Sequence, residues 1–286
     1  MLSDLSPVLL CFVFLNSLFI LFYKKIAKII NLFDYPNVDR KLHKSPVPLL
    51  GGTLFIINLF VLVSIIFLNY KTDFLLISLF QTWDKTLIFF TILFLFSILG
   101  FCDDKYNLKA TNKIVFSIII LFLIIMLPEL KITFLKFSFL SFNLELGLFS
   151  LPFTILCFLL IINALNMFDG INYQFGIFSL IAILFLLLNG FNVLLCLIII
   201  IYLTSFLLLN HNSKVFMGDN GTIPFAVLLG SLIIEAYNSQ IILYSDYIFI
   251  LLCIPGFDLL RLSILRFKKH GNMFLPDNNH IHHLLI

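Results

Sequence analysis

Three polar residues at helical spacing, Asn163, Asn166 and Asp169, interrupt chain that otherwise suits lipid. Three apart at roughly 100° per residue, they fall within one arc of roughly 120°. Each would cost on the order of 2–3 kcal/mol at a bilayer centre, so they belong against a polar cavity or the membrane surface. Gly170 then lets the chain turn away from the helix end. An ordinary helix terminus at the headgroups explains the same residues. Asp103 and Asp104 are adjacent carboxylates that repel unless a cation sits between or beside them, which suits a hard divalent metal or a metal-bound phosphate. A solvated turn explains the pair equally simply. Asp219 stands between Gly218 and Gly221, where backbone can approach phosphate oxygens closely, or where a tight turn is all that is meant. His280, His282 and His283 offer a transition-metal site, a pH switch or a nucleotide clamp. No cysteine lies near them, which favours phosphate or base binding over zinc. The basic cluster around Arg40, with Lys41, Lys44, Pro46, Pro48, Gly51 and Gly52, reads by itself as a charged loop. There is no Walker A loop or dinucleotide fingerprint, so a nucleotide would have to be held by something else.

The elements that must position these residues are membrane helices. The 286 residues are 61% hydrophobic and 12% charged, with mean hydropathy +1.11. A soluble domain carries about 25% charge, so the composition describes an all-α integral membrane protein. A net charge of +3 is too small to imply nucleic acid as a partner. The five cysteines are scattered without a CxxC and read as small packing residues. Residues 2–23 form the first apolar run, with no basic segment before it and Lys24, Lys25 and Lys28 after it. That pattern argues against a cleaved signal peptide and places the N-terminus outside. Eight more runs follow, at 50–69, 86–101, 114–128, 150–166, 174–189, 193–209, 223–236 and 245–267. The expectation is a single polytopic domain over 1–286, a bundle of about nine transmembrane helices. Alternation then puts Arg40, Lys41, Lys44, Lys105, Lys109, Lys113, Lys214, Lys268 and Lys269 inside, and only Lys71, Lys85, Lys131 and Lys136 outside, as the positive-inside rule requires. The outer segment 131–146 alternates apolar and polar residues and predicts a small β-hairpin.

Every polar cluster named above falls on the cytoplasmic side of this scheme. Five segments from different loops meeting at one face describe a site, whereas decoration would be expected on both faces. The set resembles the polyprenyl-phosphate N-acetylhexosamine-1-phosphate transferases of glycosyltransferase family 4, which include translocase I of peptidoglycan synthesis. It is most similar to the branch that initiates O-antigen, enterobacterial common antigen and wall teichoic acid. The resemblance rests on Asp34–Asn37 with Arg40–His43, Pro48–Gly52, Asp103–Leu108, Asn163–Gly170, Phe216–Asp219, Pro255–Asp258 with Arg261, and Pro276–His283.

The resemblance implies attack of a polyprenyl (undecaprenyl) phosphate on the β-phosphorus of a UDP-N-acetylhexosamine, giving sugar-diphospho-lipid and UMP in a bacterial inner membrane. It implies Mg²⁺ (or Mn²⁺) on Asp219. It places Asp103 and Asp104 as an acidic pair acting either as base or as electrostatic partners of metal and Lys; the electrostatic role fits a phosphate monoester that is already ionised at pH 7. Asp169 with Asn163 and Asn166 would orient diphosphate and nucleotide. Lys41 and Lys44 would hold phosphate oxygens, and His280, His282 and His283 the nucleotide-sugar. Pro255-Gly256 should break the last helix and open a groove for the prenyl chain, with Asp258 and Arg261 pairing at i,i+3. The resemblance leaves the number of copies open, a homodimer included.

Three departures stand out. Asn172 replaces a second Asp and Tyr173 a Gly in the Asp169 motif, Asn278 replaces an Arg before the histidines, and the chain stops at Ile286 where relatives have a further span. A truncated, inactive homologue is therefore one rival expectation, opposed by the intact Asp103, Asp104, Asp169 and Asp219. A transporter is another, opposed by polar residues gathered at one face without internal repeats.

Overall fold

The computed structural model describes residues 2–36, 45–68, 80 and 82–270. Nine apolar helices follow one another among these residues: α1 Leu2–Ile30, α2 Gly51–Leu68, α3 Trp83–Tyr106, α4 Ala110–Leu121, α5 Ser150–Phe168, α6 Gln174–Leu188, α7 Val193–Asn210, α8 Asp219–Asn238 and α9 Ser245–His270. Seven of these segments are long and apolar enough to cross a membrane. The exceptions are Ala110–Met126, where a 3-10 turn continues α4, and Gln174–Leu188. At 1.5 Å per residue the 15 residues of α6 span about 22 Å, short of the roughly 30 Å hydrocarbon core. The protein is an all-α multi-pass membrane protein.

Helix α8 is the axis of the bundle. Its span is 94% buried inside the protein, against 17% for the span windows of α1 and of α9. It packs mainly against α3, then α5 and α2. Lipid is as apolar as leucine, so burial here is driven by close packing more than by escape from water. The α8 sequence is suited to that, with Gly221, Thr222, Ala226, Gly230, Ser231 and Ala236 all buried. Two glycines on neighbouring helices permit the tightest crossings. A Cβ on Gly100 of α3 would overlap the Asp219 carbonyl, and one on Gly52 of α2 would overlap the Asn220 side chain.

Two short sheets mark the ends of the bundle. At one end β1 (Phe33–Asp34) pairs antiparallel with β2 (Val47–Pro48) in the register Phe33↔Pro48. The chain beyond β2 is then stitched to the segment before α8. The Phe216 amide donates to Pro48 O (3.1 Å), Gly51 to Phe216 O (3.0 Å) and Gly52 to Met217 O (3.0 Å). At the other end the expected hairpin is present but minimal, β3 (Phe134–Leu135) against β4 (Leu144–Glu145). Between the ends, Asn16 of α1 and Asn58 of α2 donate to each other's side-chain oxygens at 2.8 and 3.2 Å, and each also donates to a carbonyl of its own helix. This satisfied amide pair sets the register of α1, which with α9 has the least burial to hold it.

Three expectations are corrected. Asp103 and Asp104 do not follow the third helix but lie in its last turn, because α3 runs on to Tyr106; hydrogen-bond donors from elsewhere accept their charge and let the helix continue. Asp219 is not in a loop: it is the first residue of α8, entered through Gly218 at φ 73°. Pro255-Gly256 does not break the last helix, which runs unbroken from Ser245 to His270. A membrane helix tolerates one missing amide bond when the turns on either side and its neighbours hold it.

Candidate active site

The last turn of α3, the first turns of α4 and α8 and the end of α5 converge at the end of the bundle that holds β1 and β2. Asp104 points at the start of α8. Its Oδ1 accepts the amide of Asp219 (2.8 Å) and its Oδ2 the amide of Asn220 (2.9 Å). Those amides are among the orphan donors of a helix N-terminus, where the helix dipole also favours a negative charge. One turn position away, Asp103 Oδ1 accepts the amide of Leu108 (2.9 Å), and Oδ2 pairs with the ammonium of Lys113 on α4. The same ammonium lies 2.6 Å from Asp219 Oδ2. The other Asp219 oxygen accepts Asn166 Nδ2 from α5 (2.8 Å), and that amide also donates to Thr222 Oγ1 (2.9 Å). Each carboxylate of the pair thus has its own partners, and their mutual repulsion is absorbed by two different helices.

Asp169 ends α5 as its C-terminal cap. Although part of the residue meets solvent, its carboxyl is enclosed. Burial first, and the negative charge of Asp219 second, push its pKa up to about 7. Asn163 does not join the cluster: its Nδ2 donates to Leu159 O of its own helix (2.7 Å). Asp258 and Arg261 make the expected i,i+3 pair on α9 (3.0 Å). Lys41, Lys44, His280, His282 and His283 lie outside the described residues.

The departures at Asn172 and Tyr173 have a local structural consequence. Tyr173 adopts φ 70° with its amide donating to Asn210 Oδ1 (2.7 Å), and its hydroxyl contacts His211 Nδ1. Asn172 Nδ2 donates to Ser213 Oγ (2.8 Å). The loop after α5 is thereby latched to the loop after α7, and a non-glycine residue is held in a left-handed conformation to do it.

Sequence reasoning missed Lys113 and Thr222 as site residues. Lys113 directly precedes an apolar run and reads as one more basic residue at a membrane boundary; Thr222 reads as a small residue in a buried helix. Only the three-residue offset Asp219-to-Thr222 on one helix face hints that both could meet the same partner.

Chemically, two carboxylates share one ammonium and a third, Asp104, lies beside them, leaving an anionic cluster that favours cations. Asp103 Oδ2 and Asp219 Oδ2 converge on a single point, which Lys113 Nζ holds. Hard oxygens converging in this way fit Mg²⁺ or Mn²⁺. Among the described residues no three carboxylate, imidazole or thiolate groups surround one point. A divalent ion here would complete its shell with water and substrate oxygens, as Mg²⁺ commonly does. An apolar groove with a cavity volume of about 420 Å³ runs between α5, α8 and α9, from Leu135 and Ser245 at the far end to Leu165 and Leu260. Leu165, which lines it, directly precedes Asn166 on α5, so the groove extends along α5 to the turn that carries Asn166.

The family model for glycosyl transferase family 4 matches residues 86–237, a stretch from α3 to α8 that contains the whole described cluster. The chain is 30% identical over 273 residues to a probable undecaprenyl-phosphate N-acetylglucosaminyl 1-phosphate transferase of Bacillus subtilis (strain 168), covering 92% of this chain and 72% of that protein. It is 28% identical over 300 residues to the undecaprenyl-phosphate alpha-N-acetylglucosaminyl 1-phosphate transferase of Salmonella typhi, covering 100% of this chain and 77% of the relative. Against the protein of the same description from Escherichia coli (strain K12) the identity is 26% over 299 residues, with 100% and 77% covered.

Proposed function

We infer the activity from one premise: the chain belongs to glycosyl transferase family 4. It is a phosphotransferase that moves a sugar 1-phosphate onto undecaprenyl phosphate. The finer reading is that the donor is a UDP-N-acetylhexosamine, the leaving group UMP, and the reaction the first membrane step of a cell-surface polysaccharide. The observation that supports it best is that an apolar groove runs along α5 as far as Leu165 while the next residue, Asn166, belongs to the carboxylate cluster. A prenyl chain needs the first and a diphosphate with its counter-ion needs the second.

The lipid phosphate, with a second pKa near 6, is mostly dianionic at neutral pH and needs placing and charge neutralisation more than a base. The residues divide the work accordingly. Asp104 has both oxygens committed to α8 amides and anchors the helix that bears Asp219. Asp103 holds Lys113, whose ammonium is placed to neutralise phosphate oxygens. Asn166, steadied by Thr222, orients Asp219. Mg²⁺, held by Asp219 with Asp103 beside it, would neutralise the diphosphate charge that grows on the leaving UMP. Asp169 closes the cluster on the side of the latched loop.

Topology follows from charge. The site end of the bundle carries Lys24, Lys25 and Lys28 of α1, Lys105, Lys109 and Lys214; the opposite end has Lys85, Lys131 and Lys136. The positive-inside rule then turns the site towards the cytoplasm of a bacterial inner membrane, with the N-terminus outside and nine spans if the two short helices cross. The experiment is transfer of radiolabelled sugar phosphate from UDP-N-acetylglucosamine into undecaprenyl-linked product by the purified protein with Mg²⁺. Product should form, fall to near background in excess EDTA, and be largely lost in Asp219→Ala protein that still inserts. Failure to label lipid with any UDP-N-acetylhexosamine would reject the reading.

A further inference from the structure

Lys113 is the one basic side chain among the described residues that reaches the carboxylate cluster. It rises from the first turn of α4 and is largely buried, with Nζ against Asp103 Oδ2 of α3 and Asp219 Oδ2 of α8. A third carboxylate, Asp104, lies on the same turn of α3 but is turned away onto the α8 amides. Of the two groups that engage Asp219, Asn166 is fixed by its second bond to Thr222 on the same helix as Asp219. Lys113 is the movable one, a point charge on a flexible four-carbon stem.

We propose that Lys113 is a built-in counter-cation that competes with the divalent ion for the Asp103 and Asp219 oxygens. The inference rests on the reading above that Asp219 is a metal ligand. A divalent ion on Asp219 Oδ2 would stand within a few ångströms of the ammonium, and two cations that close in a half-buried site repel strongly. One must leave. The ammonium can swing on its stem, and the nearest new anion for it is the donor's diphosphate. Protein alone therefore holds metal weakly, and metal and nucleotide-sugar bind best together, because only the pair supplies enough negative charge for both cations. A merely structural ion pair predicts the opposite sign: removing Lys113 would leave the carboxylates splayed and weaken metal binding.

The test is titration of purified protein with Mn²⁺, with free ion followed by electron paramagnetic resonance. Lys113→Met should bind Mn²⁺ about tenfold more tightly than wild type, the effect of removing one competing charge. Lys113→Arg, which keeps the charge, should stay near wild type. Unchanged or weaker binding in Lys113→Met would overturn the proposal. Wild-type binding that is abolished in Asp219→Asn yet unaltered in Lys113→Met sinks this inference alone; binding that ignores Asp219→Asn sinks the metal assignment and this inference with it. A measurement on the wild-type chain covers the case in which the Met variant does not fold. Acetylation of Lys113 by an N-hydroxysuccinimide ester, read by peptide mass spectrometry, should rise severalfold at saturating Mn²⁺ as the ammonium is released. Protection by Mn²⁺, or no change, would refute the displacement.

Discussion

Replacing Asp104 by Asn separates an anchoring carboxylate from a proton-accepting one. Both Asp104 oxygens accept amides that start α8, from Asp219 at 2.8 Å and Asn220 at 2.9 Å. Asn offers one oxygen, so one amide keeps a partner without charge assistance and the other faces an NH₂ group. A hydrogen bond to a charged group contributes about 1.5–3 kcal/mol, and a neutral one about 1. Removing a half-buried charge recovers part of that loss. The net expectation is destabilisation by about 2 kcal/mol, concentrated at the α8 N-terminus that positions Asp219. For a chain of this size that lowers the melting temperature by about 4 °C. The assay is thermal unfolding in detergent beside turnover measured on the same preparation. An anchor predicts that melting temperature and turnover fall together, with Mn²⁺ affinity lowered as Asp219 shifts. A general base predicts lost turnover at an unchanged melting temperature and unchanged Mn²⁺ affinity. The second pattern would refute the assignment of Asp104 as an anchor.

Asn16→Leu should destabilise the α1–α2 packing by about 1 kcal/mol, since Asn58 loses its reciprocal partner; the double variant with Asn58→Leu should recover most of it, and additive losses in thermal unfolding would contradict the pairing. Gly100→Ala should abolish transfer or insertion, because the new methyl group meets the Asp219 carbonyl; near-normal activity would show that α3 and α8 can separate freely. Asp169, with a folded pKa of about 7 against an ordinary 3.8, binds its proton more tightly in the folded state. Its contribution to stability is therefore full below about pH 4 and lost as pH rises through 7. Melting temperature should fall between pH 5 and 8 more steeply in wild type than in Asp169→Asn, and parallel curves would remove Asp169 from the enclosed position.

Composition and periodicity alone determined the membrane class, because 61% apolar residues in helix-length runs have no soluble alternative. The nine runs correspond in order to the nine apolar helices among the described residues, and local residue types marked the polar ones as a site: Asp103, Asp104, Asn166, Asp169 and Asp219 are in the described cluster. What periodicity could not supply was where each helix stops. Asp103-Asp104 and Asp219 look like loop residues in one dimension, since charge ends an apolar run. Their helices extend over them only because donors from other helices meet the charge, which is a long-range fact. The same holds for Lys113, ten residues from Asp103 in sequence and 106 from Asp219, whose role depends on α4 folding back across α3. Asn163 is the converse case: its spacing matches that of Asn166, yet its amide turns to the carbonyl of Leu159 on its own helix. Spacing on a helix is local and can be read from sequence, whereas the partner a polar side chain meets depends on which helix is packed against it, and that was decided by the small residues that let α8 run through the centre of the bundle.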